Sequence, residues 1–245
     1  MRNLSNIGRI FYGISIAVLG FVTIYDHDFP YMLIPAGHSW LVGHEIVAYI
    51  SGVLLILSGV FIAFAKKTLP VSLLLGAVLL AIFCFYFIPY QLMASRRYMH
   101  FGEWENAAKE LALASGAFVI AGLFLQRLIP FGAALFSLTI ISFGIDHFLF
   151  AHEASDYIPS WVPNHLFWMY FTGSALLGSG IAILVNIRRR LAATLLGSMI
   201  FIWFIILHIP RVIAAPSGGE IASAMLALAY CGIAFVIAGA DKRRA

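Results

Sequence analysis

Charge is scarce in this chain. Of 245 residues only 11% are Asp, Glu, Lys or Arg, and there are two cysteines. Two single cysteines without a CxxC partner exclude a disulfide framework or a dithiol redox motif, and Cys84 and Cys231 read as small apolar residues buried in helices. No phosphate-binding loop, nucleophile elbow, catalytic-triad spacing or HExxH pair is present. What fills the sequence instead is apolar: 62% of residues are hydrophobic and 15% aromatic. A chain of this length cannot bury that much apolar surface in one soluble core, so the expected class is an all-α, polytopic membrane helix bundle. A helix of about 20 apolar residues crosses the hydrocarbon layer. Eight such segments are predicted, near 9–25, 45–65, 70–92, 108–126, 129–150, 165–187, 191–209 and 220–240. The first is taken as a helix rather than a signal peptide, because no small-residue cleavage site follows Gly20.

The sequence also repeats itself. A displacement of 121 residues lays His44 on His165, and with it Tyr49 on Tyr170, Gly52 on Gly173, Gly59 on Gly180, Gly76 on Gly197 and Ile88-Pro89 on Ile209-Pro210. Slightly smaller displacements pair Asp26-His27 with Asp146-His147, Glu103 with Glu220, and the FVIAG run at Phe118 with the one at Phe235. The expected organisation is therefore two four-helix units, residues 1–127 and 128–245. An even number of helices preserves orientation, so the units should run parallel about an axis along the membrane normal.

Basic residues set the expected orientation. Arg2, Arg9, Lys66, Lys67, Arg127, Arg188, Arg189, Arg190, Lys242, Arg243 and Arg244 fall on one side, and Arg96, Arg97, Lys109 and Arg211 on the other. The larger group marks the cytoplasm and puts both termini inside. The net charge of +4 is thus a topology signal and gives no reason to expect nucleic acid as a partner; the partner expected first is the lipid bilayer.

In that orientation all eight histidines (His27, His38, His44, His100, His147, His152, His165 and His208) lie at outer helix ends or in outer loops. Interfacial anchoring is the plainer reading of any one of them; it does not by itself select one leaflet for all eight. The candidate ligand-binding set is Asp26, His27, His44, Glu45, Tyr49, Glu103, Asp146, His147, His165, Tyr170, His208, Arg211 and Glu220. Asp146, His147 and His208 stand inside apolar runs, where an ionisable group requires a partner. Glu45, Tyr49 and Gly52 share a helix face by their spacing, while the position matching Glu45 is Leu166. The aromatic, Pro-bearing stretches 28–43 and 153–164 read either as belts at the membrane surface or as a roof over a pocket between the halves.

Residues 43–67, GHEIVAYISGVLLILSGVFIAFAKK, resemble the second-helix signature of DoxX-like membrane proteins, an acid ahead of a Gly-rich apolar helix. The stretch from His165 to Arg211, with its basic turn and terminal HIPR, is still more similar to them. The resemblance implies a relative of a membrane subunit of thiosulfate:quinone oxidoreductase and of proteins tied to redox maturation, with the family's acidic position on Glu45. It implies a quinone and a redox partner protein, and an accessory role without a catalytic residue of its own. A proton-coupled carrier and a scaffold without ligand remain alternatives on the same residues. Bis-histidine haem lacks two histidines at bundle spacing on any helix, and a divalent metal lacks a close-spaced ligand motif, so both stand behind a quinone.

Overall fold

The computed structural model describes residues 2–34, 44–94 and 101–240. His38, Trp40, Arg96, Arg97, His100, Asp241 and the basic tail from Lys242 to Arg244 lie outside the described residues, as does the side chain of His44. Every regular element among the described residues is helical: α1 (Arg2–Tyr25), α2 (His44–Ala63), α3 (Thr68–Ile82), α4 (Glu105–Ala121), α5 (Leu128–Leu149), the short α6 (Ala151–Ser155), α7 (His165–Leu184), α8 (Arg189–Trp203), the short α9 (Ile209–Ala214) and α10 (Gly218–Ala240). Among the described residues, seven helices are long and apolar enough to cross a membrane. The segment expected at 108–126 is not one of them. It is α4, 17 residues long and carrying Glu105, Lys109 and Glu110, and it survives as a helix because its neighbours enclose it: Ala107 and every residue from Glu110 to Ala121 are buried.

Both halves turn in the same way. The amide of Lys66 reaches back to the Phe61 carbonyl at 2.9 Å, and that of Ile187 to Ala182 at 2.9 Å. Ala65 and Asn186 take the left-handed conformation, as do Lys67 and Arg188 just before α3 and α8. These are helix ends closed by a six-to-one bond around a left-handed residue, at positions 121 residues apart. Arg9 adds a cap from outside, its guanidinium donating to the carbonyls of Ile62 and Ala63 at the end of α2.

The second shared device is a pair of breaks. Phe83–Phe87 and Phe204–His208 are π-helical, each directly ahead of an Ile-Pro step. A proline lacks the amide that continues the ladder, and its ring collides with the carbonyl four residues back; widening the turn before it relieves that collision. Cys84 falls in the first break and is exposed, whereas Cys231 in α10 is buried. The expectation of two buried cysteines therefore holds only for the second, because Cys84 points away from the helices packed beside it.

Packing does not follow the sequence halves. α1 lies between α2 and α10, and α5 between α7 and α4; α10 also packs on α8, and α4 on α3. One layer thus holds α2, α1, α10 and α8, and the other α7, α5, α4 and α3; the layers meet where α10 packs on α4, α7 on α8 and α2 on α3. Each half gives two helices to each layer. Glycines bring the backbones together: a Cβ on Gly13 would lie 2.7 Å from the Gly59 carbonyl oxygen, and one on Gly20 2.5 Å from that of Gly52. Between halves, a Cβ on Gly232 would lie 2.6 Å from the Gly8 carbonyl oxygen. In the other layer Gly132 meets Ser115 and Val119 on α4, and Gly173 meets Gly144 and His147 on α5. Small residues at a helix crossing supply such close contact without relying on water.

Gly59→Ala should therefore cost about 1–3 kcal/mol, the usual penalty of overpacking. Gly178, whose added Cβ would meet nothing within 4 Å, should tolerate alanine with a gain of roughly 0.5–1 kcal/mol. Thermal unfolding of the two variants in detergent separates them; equal midpoints would remove the contact argument.

Candidate functional site

The acidic ends of the helices hold three polar groups rather than one. The first joins α1 and α2. His27 leaves α1 in a left-handed conformation with φ of 55°, which brings its Nδ1 to 2.5 Å from the Tyr49 hydroxyl, the rings meeting edge to face at 5.3 Å. Asp26 sits against the start of α10, where its carboxyl occupies the space that a Cβ on Gly218 would need. Glu45 is exposed on the first turn of α2. The face predicted to unite Glu45, Tyr49 and Gly52 is thus divided among solvent-side exposure, His27 and the α1 backbone.

The second group surrounds the break at Phe204–His208, in the seventh predicted segment. Arg211 on α9 grips Glu220 on α10 with two bonds, Nε to Oε2 at 2.9 Å and Nη2 to Oε1 at 2.5 Å. The same guanidinium lies over the Tyr157 ring, 4.6 Å from its centroid. In the first half the corresponding span is made by Gln91, whose amide donates to the Glu103 carbonyl, and the Glu103 side chain is exposed. His208 belongs to the π turn, and its Nδ1 is buried without a partner; its counterpart 121 residues earlier is Phe87, 1% exposed. His165 donates or accepts nothing from the cluster: its Nε2 lies 3.2 Å from the Pro159 carbonyl, closing the segment between α6 and α7. Tyr170 is exposed and packs its ring on Phe148, 5.6 Å away. The segment 153–164 is held down by Ile158 and Val162, which pack with Ala151 and Met169, while Trp161 is exposed.

The third group is built on α4 and α5. His147 has its Nδ1 2.7 Å from the Phe143 carbonyl one turn back. Both carboxyl oxygens of Asp146 are buried with no hydrogen-bond partner. Charge reaches Asp146 from Glu105 and Lys109, themselves joined at 2.6 Å. The paired dipeptides Asp26-His27 and Asp146-His147 are not structural equivalents. The glycine contacts place Gly20 with Gly144, a displacement of 124, so Asp146 corresponds to Val22 and Asp26 lies beyond its helix.

Deeper on the same helix stands a residue that the sequence pattern passed over. Glu110 has no exposed surface, and neither of its oxygens has a partner. Tyr12 on α1 and Tyr230 on α10 lie within its electrostatic reach; the Tyr12 hydroxyl donates to the Leu113 carbonyl at 2.6 Å, and the Tyr230 hydroxyl is unpartnered. The available signal was compositional. Three charges sit in a short helix rich in alanine, and such a helix packs closely against its neighbours. Among the described residues no three His, Cys, Asp or Glu side chains gather as a metal-binding group.

Residues 136–237, from within α5 to near the end of α10, match a family model described as a domain of unknown function (DUF8561). No curated protein matches the chain, and no solved structure does. The matched interval contains Asp146, His208, Arg211, Glu220 and Tyr230 but ends short of both Tyr12 and Glu110 on the N-terminal side.

An unpartnered buried polar atom costs about 1–3 kcal/mol, so His208→Phe, which installs the residue of the matching position, should raise the thermal midpoint. Arg211→Ala should lower it, since Glu220 then loses both bonds. A lower midpoint for His208→Phe would show that Nδ1 is satisfied in the folded protein.

Proposed function

We propose that this chain is an accessory subunit of an outward-facing, quinone-linked redox system in a bacterial inner membrane, with both termini in the cytoplasm. The observation that carries the reading is the pair of buried, unpartnered groups in its second half: the two oxygens of Asp146 and Nδ1 of His208. They belong to segments that both border α10. A carboxyl and an imidazole are the groups that exchange hydrogen bonds and protons with a quinone head as it becomes a quinol. The apolar body of such a ligand suits a bundle whose α7 and α8 expose Phe167, Phe171, Leu195 and Ile202. Resemblance to DoxX-like proteins along residues 43–67 and 165–211 supports the same class. The orientation is supported by Arg9, Lys66, Lys67, Arg127 and Arg188 to Arg190, gathered at the opposite helix ends.

A proton-coupled carrier is the second reading. The matched π breaks before Pro89 and Pro210 favour it, since interrupted helices at corresponding positions of two repeats often mark a transport site. Against it stands the seam at Gly8 and Gly232, which binds the first helix of one half to the last of the other and opposes rocking of half against half. Glu45 and His165 are weaker test positions than the sequence suggests, the one exposed and the other occupied with a carbonyl.

The test is mass spectrometry of the organic extract from protein purified in mild detergent without added quinone, beside an Asp146→Asn, His208→Phe double variant. Near-stoichiometric quinone that disappears in the variant is the expected result. Bulk phospholipid alone in both samples would end the quinone reading and leave a carrier or a scaffold.

A further inference from the structure

The two halves serve as each other's control at one crossing. α2 meets α3 in the first half, and α7 meets α8 in the second. Trp168 on α7 stands edge to face against Trp203 on α8, with ring centroids 6.0 Å apart. Along α7 the Trp168 ring also meets Phe167 at 5.3 Å and Phe171 at 5.8 Å. The residues matching Phe167, Trp168, Phe171 and Trp203 in the first half are Ile46, Val47, Ile50 and Ile82, all aliphatic. The first half carries its own aromatic run in the π turn, from Phe83 to Phe87, and not at these positions. Aromatic belts follow membrane depth. Depth cannot distinguish the two sets, because each stands equally far along its helix from the matched turns at Ala65 and Asn186.

Only the second set has a polar head. In the π turn the Ile209 amide reaches back five residues to the Phe204 carbonyl. Residues five apart therefore stand one above the other, and His208 follows Trp203 along one face of the helix. Its Nδ1 is buried without a partner, and the matching residue is Phe87. The segment 153–164 lies over the crossing: Ile158 and Val162 are buried with Ala151 and Met169, and Trp168 and Trp203 pack against them. Beside them Tyr157 lies under the Arg211 guanidinium, one turn past His208. Phe167 and Phe171 are exposed on the outer side of α7.

We propose that the crossing of α7 and α8 binds the flat ring of the quinone, seated on Trp168 and Trp203 beneath the segment 153–164, with a ring carbonyl accepting a hydrogen bond from His208 Nδ1. The inference rests on the quinone reading and places the ring on the His208 side rather than beside Asp146. A conjugated ring gains from aromatic neighbours beyond the area it buries, and the exposed Phe167 and Phe171 offer its apolar tail a surface toward the lipid. A lipid acyl chain uses neither feature, since Ile46, Val47 and Ile50 would serve it as well.

Photolabelling of the full chain in lipid vesicles with an azido-benzoquinone carrying a decyl tail, followed by mass spectrometry of the peptides, reads the position. Label that the plain decyl-benzoquinone competes away should fall within residues 165–171 and 203–208. A Trp168→Val, Trp203→Ile variant, which installs the residues of the first half, should bind the decyl-benzoquinone about tenfold more weakly. Trp161→Val, at an exposed ring of the covering segment, should bind it as the wild type does. Competed label outside the two stretches, or unchanged affinity in a folded double variant, would overturn the placement and leave the quinone reading standing. Absence of any competed label would overturn both. Should the double variant fail to fold, the labelled peptides of the unaltered chain decide alone.

Discussion

The contact on which the rest of the molecule depends is that of backbone against backbone at the glycines of α1. Gly8 meets Gly232 on α10, and Gly13 and Gly20 meet Gly59 and Gly52 on α2. With no side chain between them, the helices approach closely enough for dispersion to hold them. That approach fixes α1 in the middle of one layer, and the corresponding contacts of Gly132 and Gly173 fix α5 in the middle of the other. α4 and α10 are then pressed together between the layers. The enclosure of Glu110 and Tyr230 follows from this arrangement and from no feature of their own.

Two levels of polarity result. At the helix ends, groups find partners of the ordinary kind: Arg211 with Glu220, Tyr49 with His27, Lys109 with Glu105. Beside them, Asp146, His208, Glu110 and Tyr230 keep polar atoms that no group among the described residues binds. Leaving such atoms unsatisfied opposes stability, and proteins retain them mainly where chemistry uses them. The contrast is sharpest between the halves, where Phe87 fills in the first half the place that His208 takes in the second.

The succession of helices could be read from the sequence because apolar runs, basic turns and Ile-Pro steps are local signals. The turns at Ala65 and Asn186 and the breaks at Phe83 and Phe204 fall where the 121-residue displacement puts them. Asp146 and His208 were visible as polar residues in apolar runs. Glu110 was not, because whether a carboxyl near a helix start meets water or protein depends on which helices flank it, and the interleaving of the halves leaves no periodic trace. Glu45 is the opposite case: its spacing to Tyr49 and Gly52 could be read, but not that α2 lies at the rim of its layer with that turn exposed. The match of Asp26-His27 to Asp146-His147 was an accident of composition, detectable only once the glycine contacts gave the register.

The interleaved layers also bear on the order in which the chain can become a structure. α1 leaves the ribosome well before α10, against which it packs most extensively. During synthesis the Gly8 face therefore stays uncovered until α10 arrives, and the first half has no completed core of its own to settle into. Contacts between segments far apart in sequence are slow to form and expose unfinished surfaces meanwhile. Assembly of this bundle therefore waits for α10, and a product truncated before it would lack the helix that seals α1.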